Sequence, residues 1–153
     1  MKKRNDPGEE AFLKVLRPLV ETYRAVMRKD DRHIRKLDLT QAQFDVIVVL
    51  GETPGMPCNK ITEETLLTKG TLTGVLDRLT TKGLIERVPS EIDRRSTIVR
   101  LTAQGTDCFE RVFPAHIAYL KPFFERGLTP SEMQSLRALL LKLKKSFEKE
   151  DKK

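Results

Sequence analysis

Residues that do chemistry are scarce in this chain. Its 153 residues include two cysteines, two histidines and no tryptophan. Cys58 and Cys108 show neither CxxC spacing nor a histidine cluster beside them. That excludes a disulfide framework and a structural zinc site, and points to a reducing cytoplasm. His33 and His116 lie on different helices and could meet only through the fold, with no local carboxylate or cysteine pattern, so no metal site is expected. Ser-His-Asp, phosphate-loop and dinucleotide-binding patterns are missing, as are paired carboxylates with a pocket around them. Neither catalysis nor a cofactor is expected. No apolar run reaches membrane-spanning length, and the opening MKKRNDPGEE is charged with no apolar core behind it. Those absences argue against a membrane partner and a secretory signal.

What the chain has in quantity is charge. Charged residues make up 33% and the formal net charge is +7, an excess that favours a polyanionic partner. Apolar residues make up 39%, enough for one core, and the length fits a single domain over 1–153 with helical arms.

The apolar pattern predicts a mainly α chain with a small β element. Over 9–36, Phe12, Leu13, Leu16, Leu19, Val20, Tyr23, Val26 and Met27 recur at helical steps, interrupted or bent by Pro18. Thr40 to Gln43 reads as a capping box opening a second helix. The stretch 51–57, GETPGMP, is dense in breakers and is expected to be a loop, with a short helix over 59–67 behind it. Thr68 caps a fourth helix that stops at Gly83, and 84–88 and 97–101 read as two strands. Thr102 opens a long helix ended by Gly127, and Thr129 to Glu132 caps the last one. In that last helix Met133, Leu136, Leu140, Leu143 and Phe147 form a seam suited to a partner helix.

The fourth helix carries the most information. At about 100 degrees per residue, Leu72, Val75, Leu76 and Leu79 share one face. Gly70, Gly74, Asp77 and Thr81 share the opposite face, flanked by Thr73 and Arg78, with Lys69 and Thr71 in the first turn. An interior glycine costs a helix up to about 1 kcal/mol against alanine. Two on the outward face make sense where another surface approaches the backbone closely. DNA in a major groove is such a surface: threonines reach bases or phosphates, while Lys69, Arg78 and Lys82 meet phosphates. An ordinary surface helix with two tolerated glycines fits this segment equally well. The following strands favour the first reading, because a turn bearing Arg94 and Arg95 makes a basic wing able to enter a minor groove. Asp93 reads as an ion-pair partner that directs an arginine.

At these residues the chain resembles the MarR family of winged-helix transcriptional regulators. The resemblance rests on LTKGTLTGVLDRL (67–79), KGLIER (82–87), DRR (93–95) and VRLTAQG (99–105), and extends to LTQAQF (39–44) and LTPSEM (128–133). It implies a winged helix-turn-helix core over 40–101, with helices over 9–36 and 102–150 interlocking two copies into a homodimer. The recognition helix would enter the major groove and the wing the flanking minor groove of a pseudo-palindromic double-stranded site. The DNA-facing set is then Thr68, Lys69, Gly70, Thr71, Thr73, Gly74, Arg78, Lys82, Arg87, Arg94 and Arg95. Within it Arg95 is the minor-groove arginine, Asp93 orients it, and Arg94 holds a variable position. The family often senses small aromatic acids, metals or oxidants, which implies repression relieved by a small aromatic or anionic effector. Tyr23, His116 and Tyr119 are candidate pocket residues, although packing explains the tyrosines equally well and His116 falls on an apolar stripe.

Two other inputs stay open. A winged helix can serve as a protein-interaction module without DNA binding, yet Lys69, Arg78, Lys82, Arg87, Arg94 and Arg95 are all retained here. Cys58, ahead of a helix, stands where thiols gain reactivity and would suit a redox-sensing regulator. The peroxide-sensing branch of the family carries its cysteine in the first helix, however, and this chain has none there.

Overall fold

The computed structural model describes residues 10–65, 67–90 and 96–148. The chain divides into two compact units, Met1–His116 and Ile117–Lys153.

The first unit begins with α1 (Ala11–Arg35), which runs unbroken through Pro18. Proline removes one backbone bond, to the carbonyl of Lys14. Both residues are exposed, so water can take the bond that the helix loses, and of the two expected outcomes an interruption does not occur. Then α2 (Gln41–Gly51) starts on the capping box: the Gln43 N–H donates to Thr40 Oγ1 at 3.3 Å and the Thr40 N–H to Gln43 Oε1 at 3.0 Å.

The breaker-rich stretch is not all loop. Met56–Pro57 forms a short strand, β1, antiparallel to the later strand β3 (Thr97–Leu101), with Met56 opposite Val99. Gly55, at φ +117°, makes this pairing possible. A side chain there would lie 2.8 Å from Arg100 Cβ and 2.9 Å from the Val99 carbonyl oxygen. Next come α3 (Cys58–Thr65), α4 (Lys69–Thr81) and β2 (Ile85–Pro89), so β3 is central in the order β1-β3-β2. The two-stranded ribbon expected from the sequence is thus a three-stranded sheet. Pro57 and Pro89 both lie on edge strands, where a missing N–H does least harm.

The core gathers Val46, Ile47, Leu50, Ile61, Leu72, Val75, Leu76, Leu79, Val99 and Val112, all nearly inaccessible. The long helix α5 (Ala103–Gly127) supplies Val112, Cys108 and His116 to the first unit and continues into the second. The second unit also holds α6 (Pro130–Glu148), opened by a capping box in which Thr129 donates backbone and hydroxyl hydrogens to Glu132 Oε2, each at 2.7 Å. These bonds favour the charged carboxylate and lower the Glu132 pKa. None of the residues of α6 is buried. Among the described residues no helix is long and apolar enough to cross a membrane.

Candidate nucleic-acid interface

The orientation of α4 follows from its sequence. Leu72, Val75, Leu76 and Leu79 are all buried, as the spacing predicts, and at about 25 cal/mol per Å² their burial fixes which face points inward. Thr68 caps the helix by accepting from the Thr71 N–H at 3.2 Å. The other end closes on Lys82 and Gly83, whose φ of +70° is a conformation that costs glycine nothing. Opposite the buried stripe, Thr68, Lys69, Gly70, Thr71, Thr73 and Arg78 are exposed and Gly74 is half-exposed.

Among the described residues the two outward glycines have no role in packing. A Cβ at Gly70 would meet nothing within 4 Å, and one at Gly74 would meet only the Arg78 guanidinium, at 3.5 Å. Neither has positive φ. Gly105 shows the contrast, since a Cβ there would fall 1.9 Å from the Leu84 carbonyl oxygen. Gly105 is required by the fold. Gly70 and Gly74 weaken α4 and return nothing inside the molecule.

The basic residues divide into two groups. Lys69 and Arg78 make no ion pair among the described residues, and the Arg78 side chain lies along the outer face of α4 near Gly74. Lys82 instead donates to the Asp38 carbonyl at 2.9 Å, where the chain turns with φ 61° between α1 and α2. Arg87, on β2, reaches back to Asp77 on α4 at 2.7 Å. That ion pair braces the strand against α4, and its exposure limits its worth to about 0–1 kcal/mol. A cross-strand pair, Arg100 with Glu86 at 2.7 Å, ties β3 to β2. The Ser90 N–H donates to the Ser96 carbonyl at 2.9 Å, pairing the strands at the base of the hairpin. Asp93, Arg94 and Arg95 lie outside the described residues.

Of the other candidates, Cys58 is exposed at the start of α3 and borders a groove of ≈ 310 Å³ with Thr62, Lys69 and Thr73, whereas Cys108 is buried. Tyr23 is largely exposed on α1, and Tyr119, in the second unit, packs edge-on against Phe123. No group of three or more His, Cys, Asp or Glu among the described residues is arranged to hold a metal ion.

His116 is 4% exposed and belongs to a polar cluster that sequence reasoning missed. Its Nε2 lies 2.5 Å from Asp30 Oδ1, and its Nδ1 lies 3.0 Å from His33 Nδ1. The edge of Phe44 meets its ring at a centroid distance of 4.7 Å. Beside it, Asp45 accepts from Gln41 Nε2 at 3.0 Å, and burial raises the Asp45 pKa. The Oε1 of Gln41 is buried with no partner among the described residues. Nothing local signals this cluster, because His33 and His116 are 83 residues apart.

A short helix leading into a second whose outer face is bare, followed at once by antiparallel strands, defines a winged helix-turn-helix. The pattern of the MarR family matches residues 39–97. The chain is 33% identical over 109 residues to the HTH-type transcriptional regulator MhqR of Bacillus subtilis, covering 71% of this chain and 75% of that protein. Among solved structures it superposes on Sco3205, a MarR family regulator from Streptomyces coelicolor in complex with DNA, with TM-score 0.79 and 21% identity over 86% and 84% of the chains. It also superposes on BpsR of Bordetella bronchiseptica, solved for its regulation by 6-hydroxynicotinic acid, with TM-score 0.75 and 26% identity over 90% and 94%. The chain belongs to the MarR family of transcriptional regulators and is not an enzyme.

Proposed function

We propose that this protein is a homodimeric, sequence-specific DNA-binding repressor of the cytoplasm, released by a small aromatic or anionic effector. The observation that carries the reading is the outward face of α4, where Gly70 and Gly74 serve neither packing nor backbone conformation. Bare backbone flanked by Thr71, Thr73, Lys69 and Arg78 suits a helix pressed into a major groove. Lys69 and Arg78 are the mobile cations for phosphates. Lys82 and Arg87 hold the frame and reach phosphate only at its margin. Arg94 and Arg95 act at the wing, with Asp93 directing Arg95. The solution of Sco3205 with DNA supports a duplex partner, and the regulation of BpsR by a small aromatic acid supports an effector.

Dimerisation is supported by apolar surface that each unit leaves uncovered. On α1 these residues are Phe12, Val15, Leu16, Val20 and Tyr23; in the second unit they include Ile117, Phe123, Phe124, Leu139, Leu141 and Phe147. Patches of this extent mark an interface in a chain of this size. The domain reading follows, with 40–101 as the winged core and 9–36 and 102–150 as dimer helices. The test is fluorescence anisotropy on a palindromic fragment recovered by genome-wide binding, with Arg95→Ala beside the unmodified protein. Affinity should fall at least fivefold while light scattering still reports a dimer. Unchanged affinity at several salt concentrations would remove the wing from the interface.

A further inference from the structure

We propose that Asp30, His116 and His33 form a one-proton latch between α1 and α5, and that a second proton opens it. The geometry dictates the count. The Nε2 of His116 faces Asp30 Oδ1 at 2.5 Å, so one hydrogen is committed to that contact. The two Nδ1 atoms face each other at 3.0 Å, a distance that requires a single hydrogen between them. With that hydrogen on either ring, one nitrogen donates and the other accepts. With both rings fully protonated, two N–H groups point at each other and two positive charges share the site. The contact must then break.

The neighbours sharpen this. On α1 and just past its end, Asp30 and Lys36 act on His33; on α5 it is His116; on α2, Asp45 faces the Asp30–His116 pair. Burial is the largest cause lowering the His33 pKa below 6.5, His116 and Lys36 add to it, and Asp30 opposes it. The His116 ring is held by Phe44 and by the tilted His33 ring, whose centroid lies 5.2 Å away, so it cannot turn aside without disturbing the α1–α2–α5 junction.

The sign follows from linkage. A histidine whose folded pKa lies below its unfolded value of 6.5 binds the proton more readily when unfolded. Its contribution to stability is present above pH 6.5 and is lost as pH falls from there toward the folded pKa. Asp45 titrates in the same cluster with the opposite sign, because a raised carboxyl pKa favours the folded state in acid. An Asp45→Asn background, which keeps an acceptor for Gln41, removes that term from the comparison.

With two histidines in the chain, NMR of the imidazole resonances reads both rings directly. The expected result is two coupled steps separated by more than about one pH unit, with the backbone signals around 33 and 116 moving in the lower step. Thermal unfolding from pH 7.5 to 5 supplies the second readout. His33→Asn places a non-titrating amide where Nδ1 stood, and its melting temperature should fall less on acidification than that of the unmodified protein. Two independent, uncoupled titrations would overturn the latch. So would melting temperatures of the unmodified protein and His33→Asn that fall in parallel, in either background.

Discussion

Replacing Gly74 with alanine should move stability and DNA affinity in opposite directions. Gly74 is the sixth residue of the thirteen-residue α4, past the frayed first turn. A Cβ there has only the flexible Arg78 guanidinium near it, at the ordinary contact distance of 3.5 Å. The native state therefore accepts the methyl without strain, while the unfolded chain loses conformational freedom. The gain is about 0.5–1 kcal/mol. For a chain of this size that is a rise in Tm of about 1–4 °C. It should be measured at one fixed protein concentration, because a dimer's Tm moves with concentration. Against DNA the same methyl occupies space the duplex needs, and an overpacked contact costs about 1–3 kcal/mol, roughly five- to a hundredfold in Kd. Anisotropy at one fixed salt concentration reads this. A variant that melts higher and binds its operator within twofold of the unmodified protein would refute the close-approach argument. A lower Tm would show that the outer face of α4 is not open space.

The cations should separate by their existing partners. Lys69→Ala and Arg78→Ala should each reduce the log–log salt slope of operator binding by about one unit. Lys82→Ala, whose ammonium already holds the Asp38 carbonyl, should change the slope by less, and salt titrations of the three variants check this. The cysteines should differ as their burial does. A thiol reagent applied to the native protein should label exposed Cys58 fast and buried Cys108 only on unfolding, as read by mass spectrometry at timed quenches.

How much of this was legible in the sequence depended on how local the governing interaction was. The buried stripe, the Thr68 cap and the Gly83 stop of α4 all lie within one helix, and spacing alone yields them. The capping boxes at Thr40 and Thr129 are equally local. Strand β1 is two residues long and exists because β3, more than forty residues later in the chain, offers it a free edge; no propensity within GETPGMP reveals that. Pro18 fails to interrupt α1 for the converse reason. Its local rule holds, yet an exposed helix backed by a long apolar face tolerates one missing bond. The outward glycines of α4 were legible as an anomaly, and the structure adds that no packing among the described residues explains them. The Asp30–His116 pair spans 86 residues and leaves no pattern in either neighbourhood.

That hidden cluster and the legible one are fastened to the same helix. At its start, the Thr102 hydroxyl donates to the Gly83 carbonyl at 2.6 Å and accepts from the Gly105 N–H at 3.0 Å. Gly105 itself lies hard against the Leu84 carbonyl, so α5 begins locked to the joint between α4 and β2. Eleven residues on, at about 1.5 Å each, the same helix carries His116 to Asp30 and His33, roughly 16 Å away. Between these points the helix packs on the first unit through Cys108 and Val112, and Pro114 removes one backbone bond just before His116. Both ends of this stretch therefore touch the elements that frame α4, Thr102 through Gly83 and His116 through α1 and α2.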